Sequence, residues 1–143
     1  MKDKNSMTLT FSSSSVNEAF ARTAVVAFLL PLDPTVSEIT DIKTAVSEAV
    51  TNAIIHGYEN SFGDISLMCS YEGRDVYIEI SDRGKGISDV QKAMTPLYTS
   101  RPELERSGLG FTVMETFMDS LKVDSVCGQG TRITMAKKLS KTD

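Results

Sequence analysis

Ser47-Glu48-Ala49-Val50-Thr51-Asn52-Ala53-Ile54-Ile55-His56-Gly57 is the stretch on which the reading of this chain turns. It closes a longer periodic run. Ile39, Ile42, Val46, Ala49, Val50 and Ala53 recur at three- and four-residue steps, the period of a helix with one buried stripe. Glu48 and Asn52 lie beside that stripe, and their i,i+4 spacing puts them on one face about a turn apart. A carboxylate so placed can take a proton. A carboxamide oxygen next to it can ligate a hard cation such as Mg2+. The same pair also suits a solvated helix face, so its meaning depends on its surroundings. Thr35-Val36-Ser37-Glu38 is a capping-box sequence that starts this helix. Its end is expected at about His56 or Tyr58, with His56 finishing it and Gly57 as the cap residue beyond.

Upstream, Met7, Leu9 and Phe11 alternate through Met7–Ser12, which predicts a strand. Ser15-Val16-Asn17-Glu18 is another capping-box pattern. It opens an apolar helix that runs to about Leu30, where Pro31 and Pro34 break it. Downstream, Ile65–Tyr71 and Val76–Ser81 read as strands of a hairpin joined by Glu72-Gly73-Arg74. Thr95–Arg106 is polar, carries Pro96 and Pro102, and reads as a long loop. Phe111–Met118 reads as an amphipathic helix with Met114, Phe117 and Met118 in the core. Leu121–Val126 and Thr131–Ala136 read as a closing strand pair around Gly128-Gln129-Gly130. Lys137, Lys138 and Lys141 read as a solvated tail. The expected fold is α+β: a two-layer α/β sandwich, with helices covering one face of a mixed, mostly antiparallel sheet. Without repeats or an evident linker, 1–143 is expected to be one domain.

The chain has 143 residues, 41% hydrophobic and 24% charged, which excludes wholesale disorder. No apolar run approaches the ~20 residues of a membrane helix. The polar start, Met1 to Ser6, holds no secretory apolar segment. One His and two distant cysteines, Cys69 and Cys127, make no metal or redox motif. A reduced, cytoplasmic setting is expected. A net charge of −4 argues against a nucleic-acid sleeve and favours a protein partner or a small ligand.

Three further segments offer chemistry. Asp82-Arg83-Gly84-Lys85-Gly86-Ile87 follows a strand. Its glycines allow a tight turn and close approach to a ligand. Asp82, at the strand end, can accept from an exocyclic amine. Arg106-Ser107-Gly108-Leu109-Gly110 opens a helix, where free N–H groups meet an anion and Arg106 adds charge against a terminal phosphate. Gly128-Gln129-Gly130-Thr131 is first a hairpin turn, from which Thr131 can reach toward the same site.

Taken in this order, the four segments resemble the ATP-binding boxes of the GHKL superfamily, which includes gyrase, Hsp90, MutL and the histidine kinases. Two longer stretches, Ser47 to Asn60 and Pro96 to Phe111, resemble the anti-sigma F family of endospore-forming bacteria. The resemblance extends from Phe11 to about Leu139. It implies a serine protein kinase that is also a sigma-factor inhibitor. Such a homodimer binds ATP with Mg2+ and holds the sporulation sigma factor F away from RNA polymerase. It phosphorylates a serine of an anti-anti-sigma factor, and it touches neither nucleic acid nor membrane.

By the same resemblance, Glu48 is the general base and Asn52 the Mg2+ ligand. Asp82 accepts from the adenine amino group, and Gly84 and Gly86 leave room for the base. Ser107, Gly108, Leu109 and Gly110 wrap the phosphates, with Arg106 on the γ-phosphate. Thr99 and Thr131 complete the nucleotide-binding set, and Arg22 contacts both protein partners. Two alternatives stand beside this reading: a general-stress-type anti-sigma kinase, and a non-catalytic sigma-binding module. Pro102-Glu103-Leu104-Glu105-Arg106-Ser107-Gly108 favours the sporulation branch, and intact Glu48, Asn52 and Asp82 favour an active kinase.

Overall fold

A computed structural model gives the fold and describes residues 3–58, 61–87, 89–90, 94 and 110–140. Five strands form one sheet: β1 (Lys4–Ser12), β2 (Asp64–Glu72), β3 (Asp75–Asp82), β4 (Ser120–Val126) and β5 (Gly130–Lys138). Their order is β1-β2-β3-β5-β4. All four described pairings are antiparallel, so the sheet expected to be mixed is antiparallel wherever it is described. The helices are α1 (Val16–Leu29), α2 (Val36–Asn52) and α3 (Gly110–Phe117).

Period-two alternation decides which sheet face is covered. β2 buries Ile65, Leu67, Cys69 and Tyr71, and β3 buries Val76, Ile78 and Ile80. β5 adds Ile133 and Met135. The alternate residues Ser66, Ser70, Glu79, Ser81 and Thr134 stay half-exposed. Above the buried set, α2 packs against both α1 and α3. It contributes Ile42, Ala45, Val46, Ala49 and Val50, while α1 contributes Ala21, Val25 and Leu29. Met114 and Met118 join this core as expected. Burying each large aliphatic side chain contributes about 1.5–3 kcal/mol.

The helix ends depart from expectation in two places. Thr35 forms its capping box with Glu38: the Glu38 N–H donates to Thr35 Oγ1 at 3.1 Å, and the Thr35 N–H donates to Glu38 Oε1 at 2.8 Å. Ser15 forms none. Its φ of −59° and ψ of −26° are already helical, so its hydroxyl makes no cap bond. Glu18 pairs instead with Arg22 at 2.8 Å, and Asn17 Nδ2 donates to the Ser12 carbonyl at 2.9 Å. At the other end, α2 does not finish on a glycine cap. It widens into a π turn, Ala53–Gly57, and the Tyr58 N–H donates to the Ala53 carbonyl at 3.1 Å. Gly57 is absent from the positive-φ glycines, so it is no left-handed cap.

Pro31 acts as expected: α1 gives way to a 3-10 turn, Leu30–Leu32, followed by Asp33 at φ 51°. Lys137 is no tail residue. It lies within β5, its side chain is 13% exposed, and Nζ donates to the Phe117 carbonyl at 2.8 Å beside Asp41 at 3.5 Å. Lys138 is likewise the last residue of β5. Lys141 and the loop Thr95–Arg106 lie outside the described residues.

Candidate functional site

Asp82 ends β3 and faces Thr131, near the start of β5. It is only 7% exposed. Its carboxyl accepts from the Gly84 N–H at 2.9 Å and from the Thr131 backbone N–H. Burial pushes the carboxyl's pKa up and outweighs the opposing pull of those two bonds. An ionised carboxylate offers about four acceptor sites. Two protein donors therefore leave capacity for an additional donor, such as an exocyclic amine.

Backbone closes around this carboxyl. A Cβ at Gly57 would lie 2.7 Å from the Asp82 carboxyl carbon, and a Cβ at Gly84 would overlap the Gly57 carbonyl. Neither position has space for a side chain. The turn after Asp82 is held at several points. The Arg83 N–H donates to the Tyr58 hydroxyl at 2.7 Å, and the Lys85 N–H to the Gly57 carbonyl at 2.9 Å. The Ile87 N–H donates to Ser125 Oγ at 2.7 Å. The Gly128 N–H donates to the Lys85 carbonyl at 2.5 Å, which joins the turn to the β4–β5 hairpin. Tyr58, itself buried, also donates its O–H to the Asp64 carbonyl at 2.7 Å.

Tyr58 and Ser125 were not singled out by sequence reasoning. Tyr58 directly follows the His56-Gly57 pair, which is a faint signal. Ser125 faces Thr131 across the strand register, and only that register reveals it.

Glu48 and Asn52 are both half-buried on the last turns of α2, as their spacing implied. The π turn begins immediately after Asn52 and delivers Gly57 to Asp82. Single π turns inside helices recur at functional sites. His56 sits half-buried within this one. Gly110 is the first residue of α3 and is half-buried. Thr99, Arg106, Ser107, Gly108 and Leu109 lie outside the described residues. Gly86 takes φ 75°, a left-handed value, against the Val126 carbonyl. Thr131 is buried, with Oγ1 2.9 Å from Ser125 Oγ.

Arg22 lies on α1. Its Nη1 donates to Glu18 Oε1 at 2.8 Å and to Ser47 Oγ at 3.4 Å, which places its head one residue from Glu48. The side chain is 37% exposed, so the ion pair contributes little to stability. A groove of about 550 Å³ runs beside the glycine turn, lined by Gly57, Tyr58, Phe62, Arg83, Gly84 and Lys85. No helix is long and apolar enough to cross a membrane among the described residues.

Sequence and fold together define the class. The family model of the histidine kinase-like ATPase domain matches residues 12–137. A solved structure of the RsbU and RsbW domains of a Mycobacterium tuberculosis protein superposes with a TM-score of 0.70 at 21% identity, covering 96% of this chain and 33% of that one. A histidine kinase domain from Erythrobacter litoralis gives 0.53 at 21% identity, over 72% of this chain and 45% of that one. These two likenesses concern the fold. In sequence, an anti-sigma F factor of Clostridium botulinum (strain Eklund 17B) is 62% identical, over 96% of each chain. One from Clostridium kluyveri is 59% identical, over 93% of this chain and 94% of its own. One from a Thermoanaerobacter species is 58% identical, over 96% of each. The chain belongs to the anti-sigma F factor family.

Proposed function

We propose that this protein is an ATP-dependent serine kinase and anti-sigma factor. It holds the sporulation sigma factor F away from RNA polymerase, acts as a homodimer, and phosphorylates a serine of an anti-anti-sigma factor. The observation that carries this reading is Asp82: a buried carboxyl with acceptor capacity to spare, in a turn whose Arg83, Gly84, Lys85 and Ile87 N–H groups are already engaged. A carboxylate is kept dehydrated at that energetic disadvantage where a ligand uses it.

Phosphoryl transfer is mostly positioning and electrostatics. Asp82 accepts from the adenine amino group, and Gly84 and Gly86 let the backbone approach the base. Asn52 offers one hard oxygen to a magnesium ion. Among the described residues no three His, Cys, Asp or Glu side chains converge on a metal position. When bound, such an ion neutralises charge on the phosphates. Glu48, a turn from Asn52, takes the proton of the incoming serine hydroxyl. Arg106 meets the terminal phosphate, and Ser107, Gly108, Leu109 and Gly110 wrap the others, with Thr99 and Thr131 completing the set. Arg22 meets both protein partners.

The test is transfer of labelled γ-phosphate from ATP to a small serine-bearing anti-anti-sigma partner, with Glu48→Gln as control. Transfer by the wild type and a loss of about 10²–10⁴-fold in the variant are expected. A variant as fast as wild type would overturn the base assignment. A wild type that binds no ATP would overturn the whole reading.

A further inference from the structure

We propose that the groove beside the glycine turn is a docking site for the protein substrate, and that it takes an acidic segment with an apolar side chain, remote from the reacting serine. This inference rests on the kinase reading above and adds a surface to it. Asp82, Asn52 and Thr131 do not line the groove, whereas Phe62, Arg83 and Lys85 do. Phe62 is 88% exposed, yet the loop that carries it is pinned on both sides. The Ser61 N–H donates to the Tyr58 carbonyl at 2.8 Å. The Gly63 N–H donates to Ser13 Oγ at 3.1 Å, and the Ser13 N–H to the Gly63 carbonyl at 2.9 Å. A Cβ at Gly63 would overlap the ring of buried Tyr58, so the loop lies tight against the fold. The backbone thus holds a phenylalanine out in water.

Arg83 is presented in a similar way. Arg22, Arg74 and Arg132 engage Glu18, the Ser140 carbonyl and Glu79. The exposed Arg83 guanidinium has no partner among the described residues, while its backbone N–H is held by Tyr58. Lys85, also exposed, adds positive charge to the same lining on a chain of net charge −4. Aromatic rings and guanidinium groups dominate binding energy at protein interfaces. Held on fixed backbone, they cost less to order on binding. The guanidinium calls for carboxylates, which it holds in a bidentate fork, and the ring calls for an apolar neighbour. A groove of about 550 Å³ exceeds what an inorganic anion needs. A nucleic acid gains affinity with each phosphate neutralised, for which an acidic chain offers little. The protein substrate is the fitting occupant, because a serine hydroxyl alone supplies little affinity and contacts away from the reacting atoms provide the rest.

The experiment measures phosphate transfer from ATP to the anti-anti-sigma factor by the full chain and by Phe62→Ala, Phe62→Tyr and Arg83→Ala, with the oligomeric state of each. The KM for the protein substrate should rise roughly tenfold in Phe62→Ala and in Arg83→Ala. The kcat and the KM for ATP should stay at wild-type values, the pattern of lost uniform binding. Phe62→Tyr keeps the ring and should keep the wild-type KM. A photoreactive benzoylphenylalanine in place of Phe62 should cross-link to a segment of the substrate that holds Asp or Glu beside an apolar residue. An unchanged substrate KM in both alanine variants, or a cross-link to a segment without an acid, overturns the inference while leaving the kinase reading intact. A change of oligomeric state in the alanine variants would assign the groove to a second copy of this chain and overturn it too. A wild type that transfers no phosphate overturns the kinase reading, and this inference with it.

Discussion

Gly57 and Asp82 meet at a distance that admits no side chain: a Cβ on Gly57 would come within 2.7 Å of the Asp82 carboxyl carbon and of one of its oxygens. The carboxyl cannot swing away freely, because it is buried and held by two backbone N–H groups. Gly57→Ala should therefore destabilise the protein by about 1–3 kcal/mol through overpacking. It should weaken adenine-nucleotide binding as well. A denaturant melt and a nucleotide titration read the two effects. Wild-type binding in this variant would show that the contact is incidental.

Asp82→Asn separates stability from function. Burial, the larger influence, raises the pKa of the Asp82 carboxyl above its ordinary 3.8 despite the hydrogen bonds from Gly84 and Thr131. The folded protein thus binds this proton more tightly than the unfolded chain does. Its contribution to stability is greatest below 3.8 and is lost as pH rises through the raised value, leaving a penalty at neutral pH. The asparagine variant lacks this titration. Its stability relative to wild type should improve as pH rises from below 3.8 toward neutrality, while nucleotide affinity falls. Urea melts across that range check it, and a difference that does not vary with pH would contradict it.

The Tyr58 hydroxyl bridges two otherwise separate backbone groups, the Arg83 N–H and the Asp64 carbonyl. Tyr58→Phe leaves both without this partner. Arg83 and Asp64 are exposed, so water can replace the hydroxyl, and a loss of about 0.5–1.5 kcal/mol is expected for each hydrogen bond removed. Amide hydrogen exchange at Arg83 should accelerate in the variant, and unchanged protection there would argue against the buttress.

Glu38 serves two ends of the fold at once. Besides its capping box with Thr35, Oε2 accepts from the Ser140 N–H at 2.7 Å. Burial raises its pKa, but the hydrogen bonds to Thr35 and Ser140 together prevail and hold it below the ordinary 4.5. Its stabilisation is present above 4.5 and is lost as pH falls through the lowered value. Glu38→Ala should cost about 1 kcal/mol at neutral pH, the usual scale for a lost cap. In acid its melting curve should converge on that of wild type; a constant gap would refute the linkage.

The cysteines should differ in reactivity. Cys127 is exposed, whereas Cys69 is buried and its thiol is pushed up to about 12 by desolvation. The thiolate is the reactive form. A chromogenic thiol reagent should label Cys127 in the native protein and reach Cys69 only on unfolding. Equal rates at both would mean that β2 opens readily.

Much of the architecture was legible because burial imposes simple periods. The alternation of Ile65, Leu67 and Cys69, and the stripe from Ile42 to Ala53, identified strand and helix without further help. What was not legible depended on competition or on register. Ser15 and Thr35 head equally good capping sequences, yet only Thr35 has the extended backbone that turns its hydroxyl onto the helix end. Gly57 read as a helix cap, but its real constraint is a carboxyl 25 positions further along. Lys137 read as tail because its partners, Asp41 and the Phe117 carbonyl, lie far away in sequence. Glu48, Asn52 and Asp82 were expected from spacing and order. Tyr58 and Ser125 were not, because their roles are hydrogen bonds across the fold with no local pattern.

The extra residue in the turn Ala53–Gly57 has a consequence for how this chain tolerates change. An α-helix advances about 100° per residue. Deleting any one of these five positions would straighten the rod and rotate everything beyond it by roughly that angle. Gly57 would then swing off the sheet while Glu48 and Asn52 stayed where they were. Indels here should be purged far more strictly than point changes, since losing one letter would part Gly57 from the Asp82 carboxyl it now abuts.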